Sequence, residues 1–567
     1  MKLETYDFTK KGHELAGIAR HGKNWPVVYL IHNNKEMYVG ETNSFQNRFN
    51  QHLKNSARDG LKKISFIDDD EFNKSAVLDI EQKLIRLCGA DKKYDLQNKN
   101  AGQSGMHNYF QREIYEQKIP EIWDAMGELK LTNHSYNKLI NSNIFKYSPY
   151  TALTREQNDI CYEVLNDILE TLKNGKMGAS VVYGGAGTGK TIVAINIVYT
   201  LANMKLMNID VEDNDNDKWN VLIRKWKKYL KKRESVLKIG FVVPMQSLNA
   251  TLSKVFKYVD GDILSNLVIS PYNVAERKYD ILIVDESHRL KRRLALSRDY
   301  NKFDESCKKL GMDPKSSNQL EWILKQSRHC VLFRDPPQSI KPSDIPYEDY
   351  NNTLKKKVPK EYKLTSQMRC IGGNDYLLYI EKIFNSGENI AKTNVFGDYD
   401  IKIFEDPNKM IQEIKIKNES TELCRVIAGF SWKWSTHGKN RKKIDENGLF
   451  DIELDGQKYV WNTTDKDWII SKNAINEIGC VHTTQGYDLN YVGLIFGREI
   501  DWDEVNNKFE IDLDLFFDTK VKEATPPEKV KEFIINAYKV MMVRGIKGCY
   551  MYACNPGMRK FLRKWFG

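Results

Sequence analysis

The chain of 567 residues has no pair of cysteines spaced Cys-x-x-Cys, although it contains nine cysteines in all. The cysteines fall singly, several of them inside apolar runs, as Cys330, Cys424 and Cys480 do. An odd count without paired spacing argues against a disulfide framework and against a zinc site. The pattern instead indicates reduced core thiols, and we expect a cytoplasmic protein.

No apolar run comes near 18 residues, so the sequence predicts no membrane-spanning helix. The first 17 residues lack the apolar core of a signal peptide, and no segment repeats at a fixed period. The hydrophobic fraction of 41% is sufficient for packed cores, and the mean hydropathy of −0.57 indicates a soluble protein. The length suggests three or four domains.

Acidic residues are the minority among the charged ones, with 76 Asp and Glu against 87 Lys and Arg, a formal net charge of +11. This excess suits a polyanionic partner such as nucleic acid. A solvated basic surface explains the same excess equally well.

The most informative pattern is the glycine-rich segment GGAGTGKT at 184–191, which follows an apolar run and precedes an apolar helical pattern. Strand, glycine loop and helix are the context of a phosphate-binding loop, whose main-chain N–H groups surround the phosphates. Lys190 is expected to reach the β- and γ-phosphates, and the Thr191 hydroxyl to hold Mg²⁺. We therefore assign ATP binding to the whole loop: Gly184, Gly185, Ala186, Gly187, Thr188, Gly189, Lys190 and Thr191.

A second acidic segment completes this prediction. An apolar run of buried-strand length ends in Asp285 and Glu286. We expect Asp285 to bind Mg²⁺ through water and Glu286 to orient or deprotonate the attacking water.

Further segments lie in the order typical of superfamily 1 helicases, which the chain resembles. Leu153–Ile160 resembles the adenine-reading motif with Gln157, and Phe241–Leu248 resembles a strand and loop that contact single-stranded nucleic acid. The resemblance implies γ-phosphate sensing by Gln338, arginine fingers at Arg369 and Arg544, and a fifth motif at 481–488. An arginine finger neutralises charge on the transferring phosphoryl group and couples hydrolysis to closure of a cleft.

Two longer stretches, 425–434 and 477–497, resemble the bacterial Schlafen group 3-like DNA/RNA helicase domain, and the resemblance covers roughly 150–567. It departs from the family at Asp488, where glutamate is usual, and at the pair Pro336-Pro337. It implies an α/β fold with two RecA-like parallel-sheet motor lobes. The term helicase refers here to the architecture of the motor and not to the separation of strands.

A small module precedes the motor. Val27–Ile31 and Met37–Gly40 read as two short strands joined by a turn, and they resemble the GIY-YIG nuclease fold over about 25–105. Downstream residues that match the family are Arg48, His52, Glu81 and Asn98, with Asn100 as an alternative to Asn98. The first motif lacks its glycine, and the gap from Tyr29 to Tyr38 is slightly short.

The resemblance implies a metal-dependent phosphodiesterase. Tyr29, helped by Tyr38, is then the general base or its relay, Glu81 holds one Mg²⁺ or Mn²⁺, Arg48 stabilises the phosphate oxyanions and His52 is accessory. Two tyrosines on a hairpin also fit ordinary cross-strand packing.

The sequence predicts four segments: a GIY-YIG nuclease-like domain at 1–105, a helical connector at 106–150, a first RecA-like lobe at 151–350 and a second at 351–567. In an insertion at 203–238, apolar residues fall on one helical face and basic residues elsewhere. A helix packed on the motor is the favoured interpretation, and a nucleic-acid contact is the alternative.

We expect an ATP-driven motor coupled to an endonuclease, acting on nucleic acid, with DNA favoured over RNA. By analogy we favour anti-phage defence over mobile-element biology or DNA repair. One alternative is an ATP-operated binding switch that gates the nuclease without translocating. The other is a motor whose N-terminal module binds DNA without cutting it.

Overall fold

The structure is a computed structural model. It describes residues 1–19, 22–98, 112–149, 153–204, 218–260, 262–339, 341–367, 370–385, 392–393, 395–439, 441–464, 468–484 and 487–567. The chain divides into two compact units, Met1–Asn158 and Asp159–Gly567.

Among its described residues, the first unit contains one five-stranded sheet and six complete α-helices. Its elements in chain order are β1 (Lys2–Asp7), α1 (Lys10–Ala16), β2 (Val27–His32), β3 (Glu36–Thr42), α2 (Phe45–Leu53), β4 (Lys63–Asp68), α3 (Lys74–Asp91), β5 (Asp95–Leu96), α4 (Arg112–Glu128), α5 (Tyr136–Ile140) and α6 (Asn143–Lys146). The strand order is β1-β4-β2-β3-β5, with only the β3–β5 pair parallel.

The hairpin of β2 and β3 is closed by an asparagine turn. The Asn33 side-chain oxygen accepts hydrogen bonds from the main-chain N–H groups of Lys35 and Glu36, each at 2.7 Å. An asparagine that bonds its own backbone in this way favours a turn over continued strand. The resulting register places Tyr29 directly opposite Gly40.

Successive residues of β2 contact two different cores, as the two-residue period of a strand requires. Val28 and Leu30 pack with α3 and α4 on one face of the sheet. Tyr29 and Ile31 pack with residues of α2 on the other face. The alternation therefore directs Tyr29 toward the helix that carries Arg48 and His52.

The helices after the sheet share its core. Trp123 and Ile119 of α4 are buried in the same apolar cluster as Val28 and Ile80. The boundaries predicted at residues 105 and 150 stay predictions, although α4 packs as part of the first unit.

The second unit contains two parallel sheets. Its first part comprises α7 (Arg155–Lys173, which begins just before the unit), β6 (Gly178–Gly184), α8 (Lys190–Asn203), α9 (Lys218–Lys231), β7 (Ile239–Val242), α10 (Gln246–Asp260), α11 (Asp262–Ser265), β8 (Val268–Ile269), β9 (Tyr279–Val284), α12 (Tyr300–Leu310), α13 (Gln319–Gln326), β10 (Ser327–Arg334), α14 (Tyr347–Lys355) and β11 (Lys360–Leu364). These strands form a parallel sheet in the order β11-β6-β10-β9-β7-β8.

The remainder of the second unit forms a second parallel sheet and two hairpins. Its elements are α15 (Gly373–Asn385), β12 (Asp400–Ile403), α16 (Pro407–Thr421), β13 (Arg425–Ala428), α17 (Arg441–Glu446), β14 (Ile452–Leu454), β15 (Gln457–Tyr459), β16 (Ile478–Gly479), α18 (Val481–Thr484), β17 (Leu489–Phe496), β18 (Ile500–Asp503), β19 (Lys508–Ile511), α19 (Thr519–Ala524), α20 (Pro527–Met542), β20 (Gly545–Ala553) and α21 (Pro556–Phe566). The sheet order is β12-β20-β17-β13-β16.

The two parallel sheets are the RecA-like lobes, and the α/β fold class expected from the sequence is confirmed. The six residues of β9 are all buried, and apart from Asp280 the strand is apolar, because helices cover both faces of a parallel sheet. Ligands of such folds bind at the carboxyl ends of the strands. The lobe boundary at 350 stays a prediction, although β11, beyond it, still pairs with the first sheet.

The insertion forms α9, whose apolar face packs on the motor. Leu222, Ile223, Trp226 and Leu230 are buried, and the Trp226 indole N–H donates to the Leu165 carbonyl at 3.2 Å. The packed-helix interpretation is thus confirmed for this face. A nucleic-acid contact by the exposed lysines of the opposite face stays a prediction, and the acidic run at 212–217 lies outside the described residues.

All nine cysteines lie within the described ranges and are free thiols, and eight of them are buried. Across the described ranges, no helix is long and apolar enough to cross a membrane.

His329 gives the first lobe a predicted dependence of stability on pH. Its ring lies in a buried network with Ser180 and Thr171, at 3.0 and 2.9 Å, and burial lowers its pKa to about 4. The unfolded chain therefore binds a proton at this position from about pH 6.5 downward, while the folded chain does not until about pH 4. We expect His329 to remove about 2 kcal/mol of the free energy of unfolding between pH 7 and pH 5.

Urea denaturation followed by tryptophan fluorescence at the two pH values measures this loss. A His329→Gln variant should lose less stability on acidification than the wild type, whereas His437→Gln, at an exposed histidine, should behave like the wild type. Equal pH dependence in all three proteins would contradict the assignment.

Candidate active sites

The first candidate site lies on the α2 face of the first unit. The Arg48 Nε–H donates to the Tyr29 hydroxyl oxygen at 3.2 Å, and that hydroxyl lies 2.8 Å from His52 Nε2. Burial, together with Arg48 and Arg58, lowers the pKa of His52 to about 4, so its ring is neutral at pH 7. One hydroxyl group thus joins the side chains of Arg48 and His52.

Tyr29 and Tyr38 lie side by side across the hairpin. Their ring centroids are 6.1 Å apart, and the Tyr38 ring is 5.1 Å from that of His52. Burial and the neighbouring Tyr38 raise the pKa of Tyr29 well above its usual range, so a proton acceptor is needed before Tyr29 can act as a base. The structure brings Tyr29, Tyr38, Arg48 and His52 together, which pure cross-strand packing of two tyrosines does not require.

Gly40 makes this proximity possible. A Cβ atom at residue 40 would lie 2.4 Å from the Tyr29 hydroxyl and 2.8 Å from a Tyr38 ring carbon. Only glycine leaves that space open, which gives the second motif a steric reason for its glycine.

Glu81, on α3, lies beside Glu41 at the end of β3 and within electrostatic range of Arg48. Burial and the neighbouring Glu41 raise its pKa to about 7, and the Glu41 main-chain N–H donates to its carboxylate. A Lys74–Glu41 ion pair lies beside it. Among the described residues, no three His, Cys, Asp or Glu side chains cluster as a complete metal cage.

Mg²⁺ fits this donor set, because Mg²⁺ is usually held by one or two carboxylates and completes its shell with water and substrate phosphate. A divalent cation stabilises the ionised form of a buried carboxyl group whose pKa is raised. Glu81 is therefore the residue that would hold the ion, and the ion would supply a Lewis acid at the phosphate.

Asn98 fixes the edge of the site. Its side chain bonds the backbone of Val39 twice, donating to the carbonyl at 2.6 Å and accepting from the N–H at 3.3 Å. This clamp holds the strand between Tyr38 and Gly40. The alternative Asn100 lies outside the described residues.

The second candidate site lies at the carboxyl end of β6. Gly187 and Gly189 both have a φ of 83°, the left-handed conformation that favours glycine. A Cβ at Gly184 would lie 2.4 Å from the Thr188 hydroxyl. Gly185, Ala186, Thr188 and the glycines thus form the tight loop that the sequence predicts, and it leads into α8 at Lys190.

Lys190 is buried at the base of this loop. Its Nζ donates to the carbonyls of Gly184 and Gly185 at 2.8 and 2.9 Å, and lies 3.3 Å from Asp335 Oδ2. The loop is therefore closed on its own lysine, which can exchange these partners for phosphate oxygens.

Thr191 and Asp285 meet as a cation site requires. The Thr191 hydroxyl donates to Asp285 Oδ2 at 2.8 Å. Complete burial and the adjacent Glu286 raise the pKa of Asp285 to about 7. A buried carboxyl beside a hydroxyl and a second acid is the environment that Mg²⁺ with ATP would neutralise, so the residues present fit both ligands.

His288 links the catalytic acid to the sensing loop. Its Nδ1 accepts from the Asp335 main-chain N–H at 3.2 Å, so the ring proton is on Nε2, which lies 3.0 Å from Glu286 Oε2. Burial alone would raise the pKa of Glu286, but His288 and Lys190 hold that pKa well below its usual range. Glu286 is therefore an ionised carboxylate, as a water-activating base must be.

The second lobe reaches this network through Arg544. Arg544 is buried, and its Nη2 donates to Gln338 Oε1 at 3.2 Å, while Gln338 donates to the Asp335 carboxylate. Gln367, just after β11, donates to the Ala186 carbonyl of the phosphate loop. The predicted finger Arg369 lies outside the described residues.

Gln157 takes part in a helix cap. Its side-chain oxygen accepts from the Thr154 N–H at 3.0 Å, and its own N–H donates to the Thr154 hydroxyl at 3.2 Å. This reciprocal pair is a capping box at the start of α7. Adenine recognition by Gln157 stays a prediction.

The fifth motif is only partly described. Thr484 is buried and the Tyr487 hydroxyl lies 3.4 Å from that of Thr251, which follows the loop predicted to contact single-stranded nucleic acid. Gln485 and Gly486 lie outside the described residues.

Sequence reasoning left Asp335, His288 and Gln367 out of the site. Asp335 and His288 were visible as polar residues just after apolar strands, where α/β sites form. Gln367 gave no signal of its own, because its contact depends on the path of the chain after β11.

We expect a His288→Ala variant to lower kcat for ATP hydrolysis about tenfold, because the Glu286 carboxylate loses the polar ring whose Nε2 lies 3.0 Å from it. Its KM for ATP should change little, because His288 contacts Glu286 and not the phosphate loop. Steady-state ATPase kinetics measure both constants, with His437→Gln as the matched control. A change confined to KM would contradict this role.

The fold and the two sites define a class of protein. It is a P-loop motor of two RecA-like lobes, preceded in the chain by a small α/β module. Comparison with protein families gives the particular family. The family model for the Schlafen group 3, DNA/RNA helicase domain matches residues 178–555, and the model for the GIY-YIG catalytic domain matches residues 26–95. The chain belongs to the Schlafen group 3 helicase-domain family and carries a GIY-YIG domain at its N-terminus.

Two individual proteins are also similar to this chain. The uncharacterized protein YPL245W of Saccharomyces cerevisiae is 26% identical over 466 residues, which cover 76% of this chain and 93% of the yeast protein. A crystal structure of Pif1 helicase from Candida albicans matches 73% of this chain and 99% of its own, with 11% identity and a TM-score of 0.26. That score is too low to support an argument from the likeness.

Proposed function

We propose that this protein is an ATP-driven nucleic-acid translocase coupled to a metal-dependent endonuclease. The observation that carries the motor half is the contact between Arg544 of the second lobe and Gln338 of the first. Through Asp335, this contact joins the bonding network of Lys190. An arginine so placed neutralises charge on the transferring phosphoryl group only when the lobes close, which couples hydrolysis to movement.

The nuclease half is supported by the hydrogen-bonded row Arg48–Tyr29–His52. Tyr29, helped by Tyr38, would be the general base or its relay for the attacking water, His52 would be accessory, and Arg48 would bind the phosphate oxygens. Glu81 would hold the divalent ion. Tyr38 would support Tyr29 from the neighbouring strand.

In the motor, we propose that Gln157 reads adenine and that the loop 184–191 binds the phosphates. Thr191 and Asp285 would hold Mg²⁺, Glu286 would activate water, Gln338 would sense the γ-phosphate, and Arg369 and Arg544 would act as the fingers. DNA is the favoured strand, the cytoplasm the favoured compartment, and anti-phage defence the favoured role.

A panel of single- and double-stranded DNA and RNA tests the proposal. Wild-type ATPase should be stimulated by single strands, and its rate should rise with strand length, as expected for a translocase. An ATP-operated binding switch would show stimulation that does not depend on length. With Mg²⁺ or Mn²⁺ the wild type should cut DNA, whereas a binding-only module would leave every substrate intact.

A further inference from the structure

A second arginine lies at the proposed nuclease centre and belongs to none of the sequence motifs of this unit. Arg58 ends a short 3₁₀ helix, Ser56–Arg58, that follows α2. Its guanidinium carbon lies 3.9 Å from the centre of the Tyr38 ring, and its Nη1 donates to the Gln97 side-chain oxygen. The guanidinium therefore lies over the face of the Tyr38 ring in a cation–π contact.

Arg58 is held in place from two sides. The Asn55 side chain accepts from the Ala57 N–H at 3.0 Å and so caps the 3₁₀ turn. Gln97 is fixed in turn, because its main-chain N–H donates to the Met37 carbonyl at 2.9 Å. The guanidinium is therefore preorganised, with little side-chain freedom left to lose when a ligand binds.

No carboxylate within the described residues forms an ion pair with Arg58. One of its five N–H groups bonds Gln97, and its Nε is buried without a hydrogen-bond partner. Arg58 is nevertheless close enough to His52 to help hold the pKa of that ring down. Its positive charge thus acts on the reaction centre and is not neutralised there.

Arg58 and Arg48 serve different points of the centre. Arg48 bonds the hydroxyl end of Tyr29, whereas Arg58 covers the face of Tyr38, on the neighbouring strand. Among the described residues neither guanidinium forms an ion pair, and two such groups beside tyrosine and histidine side chains suit two anionic groups of one ligand, because a planar fork matches phosphate oxygens. Nucleic acid supplies such groups at regular intervals along its backbone.

We propose that Arg58, positioned by Tyr38 and Gln97, forms a second phosphate site that binds a phosphodiester next to the one being cut. The inference rests on the proposed nuclease function and adds a backbone contact to it. A phosphate held there fixes the register of the strand across Tyr29 and Glu81. It carries no base specificity, because phosphate contacts position the strand and do not read it.

The first experiment maps the cut on a defined oligonucleotide and replaces single flanking phosphates by neutral methylphosphonates. For the wild type, neutralising one particular flanking phosphate should lower kcat/KM about tenfold to a hundredfold, mainly through KM. The Arg58→Gln variant should cut the unmodified substrate with a kcat/KM about tenfold to a hundredfold below that of the wild type. Neutralising the same flanking phosphate should then lower its kcat/KM no further. Lys54→Gln, at an exposed position two residues before the 3₁₀ turn, is the matched control.

A purely structural role for Arg58 gives a different result. Loss of support for Tyr38 would slow the cutting of the charged and the neutralised substrate by the same factor. The ratio of their kcat/KM values in Arg58→Gln would then equal the ratio in the wild type, and that result would overturn the proposal. Arg58→Lys, which keeps the charge but not the planar fork, should retain part of the ratio. Circular dichroism of each variant checks that the domain is folded.

A second measurement does not depend on cutting. Binding of the oligonucleotide to the full chain without divalent ions should protect Arg58 from phenylglyoxal several-fold, as read by mass spectrometry of the peptide that contains it. Protection in this experiment, together with no cutting when Mg²⁺ or Mn²⁺ is supplied, would refute the proposed nuclease and leave the phosphate site standing. Cleavage without protection, or with an unchanged methylphosphonate ratio, would refute the phosphate site and leave the nuclease standing.

Discussion

Replacing Lys190 with alanine is expected to abolish ATP hydrolysis, lowering kcat by about 10²–10³ or more. The Lys190 amine now bonds the Gly184 and Gly185 carbonyls and lies 3.3 Å from Asp335, so it is already centred in the loop that receives the phosphates. Alanine removes the positive charge at the point where negative charge develops during phosphoryl transfer. A malachite-green or coupled-enzyme ATPase assay, with and without single-stranded DNA, measures the loss.

Lys176→Ala is the matched control, because Lys176 is exposed just before β6 and contacts none of the site. The Lys190→Ala variant also leaves the buried Asp335 without its cationic partner. Lys190→Arg should therefore be assayed as well, because arginine keeps the positive charge but differs in shape from lysine. Thermal denaturation separates loss of catalysis from loss of folding. Hydrolysis at the wild-type rate by a folded Lys190→Ala protein would refute the assigned phosphate loop.

Replacing Glu81 with alanine is the second change with a large expected effect. We expect it to stop nucleic-acid cutting, with a loss of at least about a hundredfold, and to leave DNA-stimulated ATP hydrolysis intact. The physical reason is that Glu81, within electrostatic range of Arg48, is the side chain that we propose holds the divalent ion. Gel analysis of a labelled substrate with Mg²⁺ or Mn²⁺ measures the cutting.

The control for this experiment is Glu14→Gln, which alters an exposed glutamate of the same unit. Glu81→Gln keeps the shape of the side chain and should fail like alanine if charge is what matters. Titration calorimetry with Mn²⁺ gives a readout besides activity, since the Glu81 variants should lose binding that Glu14→Gln retains. Undiminished cutting by Glu81→Ala would remove Glu81 from the role of metal ligand.

Much of the second unit followed from local sequence pattern. The loop at 184–191 needs left-handed glycines between a strand and a helix, and the structure has both, with Gly187 and Gly189 at a φ of 83°. Asp285 and Glu286 had to follow a continuous apolar run, because a strand of a covered parallel sheet is apolar on both faces. These features depend on residues close in sequence, and pattern reasoning reads such features directly.

The residues of the proposed nuclease centre could be predicted from the sequence, but the hydrogen bonds between them could not. The two-residue period of β2 and the helical period of α2 placed Tyr29, Arg48 and His52 within reach. That Arg48 donates to the Tyr29 hydroxyl, and that this hydroxyl meets His52, depends on how α2 packs on the sheet. Arg58 could not be found at all, because the turn that brings it over Tyr38 has no motif.

The sequence by itself determined which chemical groups are present and on which kind of element each one sits: the phosphate loop, the paired acids, and the hairpin with its two tyrosines. Only the tertiary structure decided which distant groups touch, as in Arg544 to Gln338 and His288 to both Asp335 and Glu286. The reason is physical. Local periodicity fixes the direction of a side chain relative to its own strand or helix, whereas contacts between elements are selected by the packing of the whole lobe.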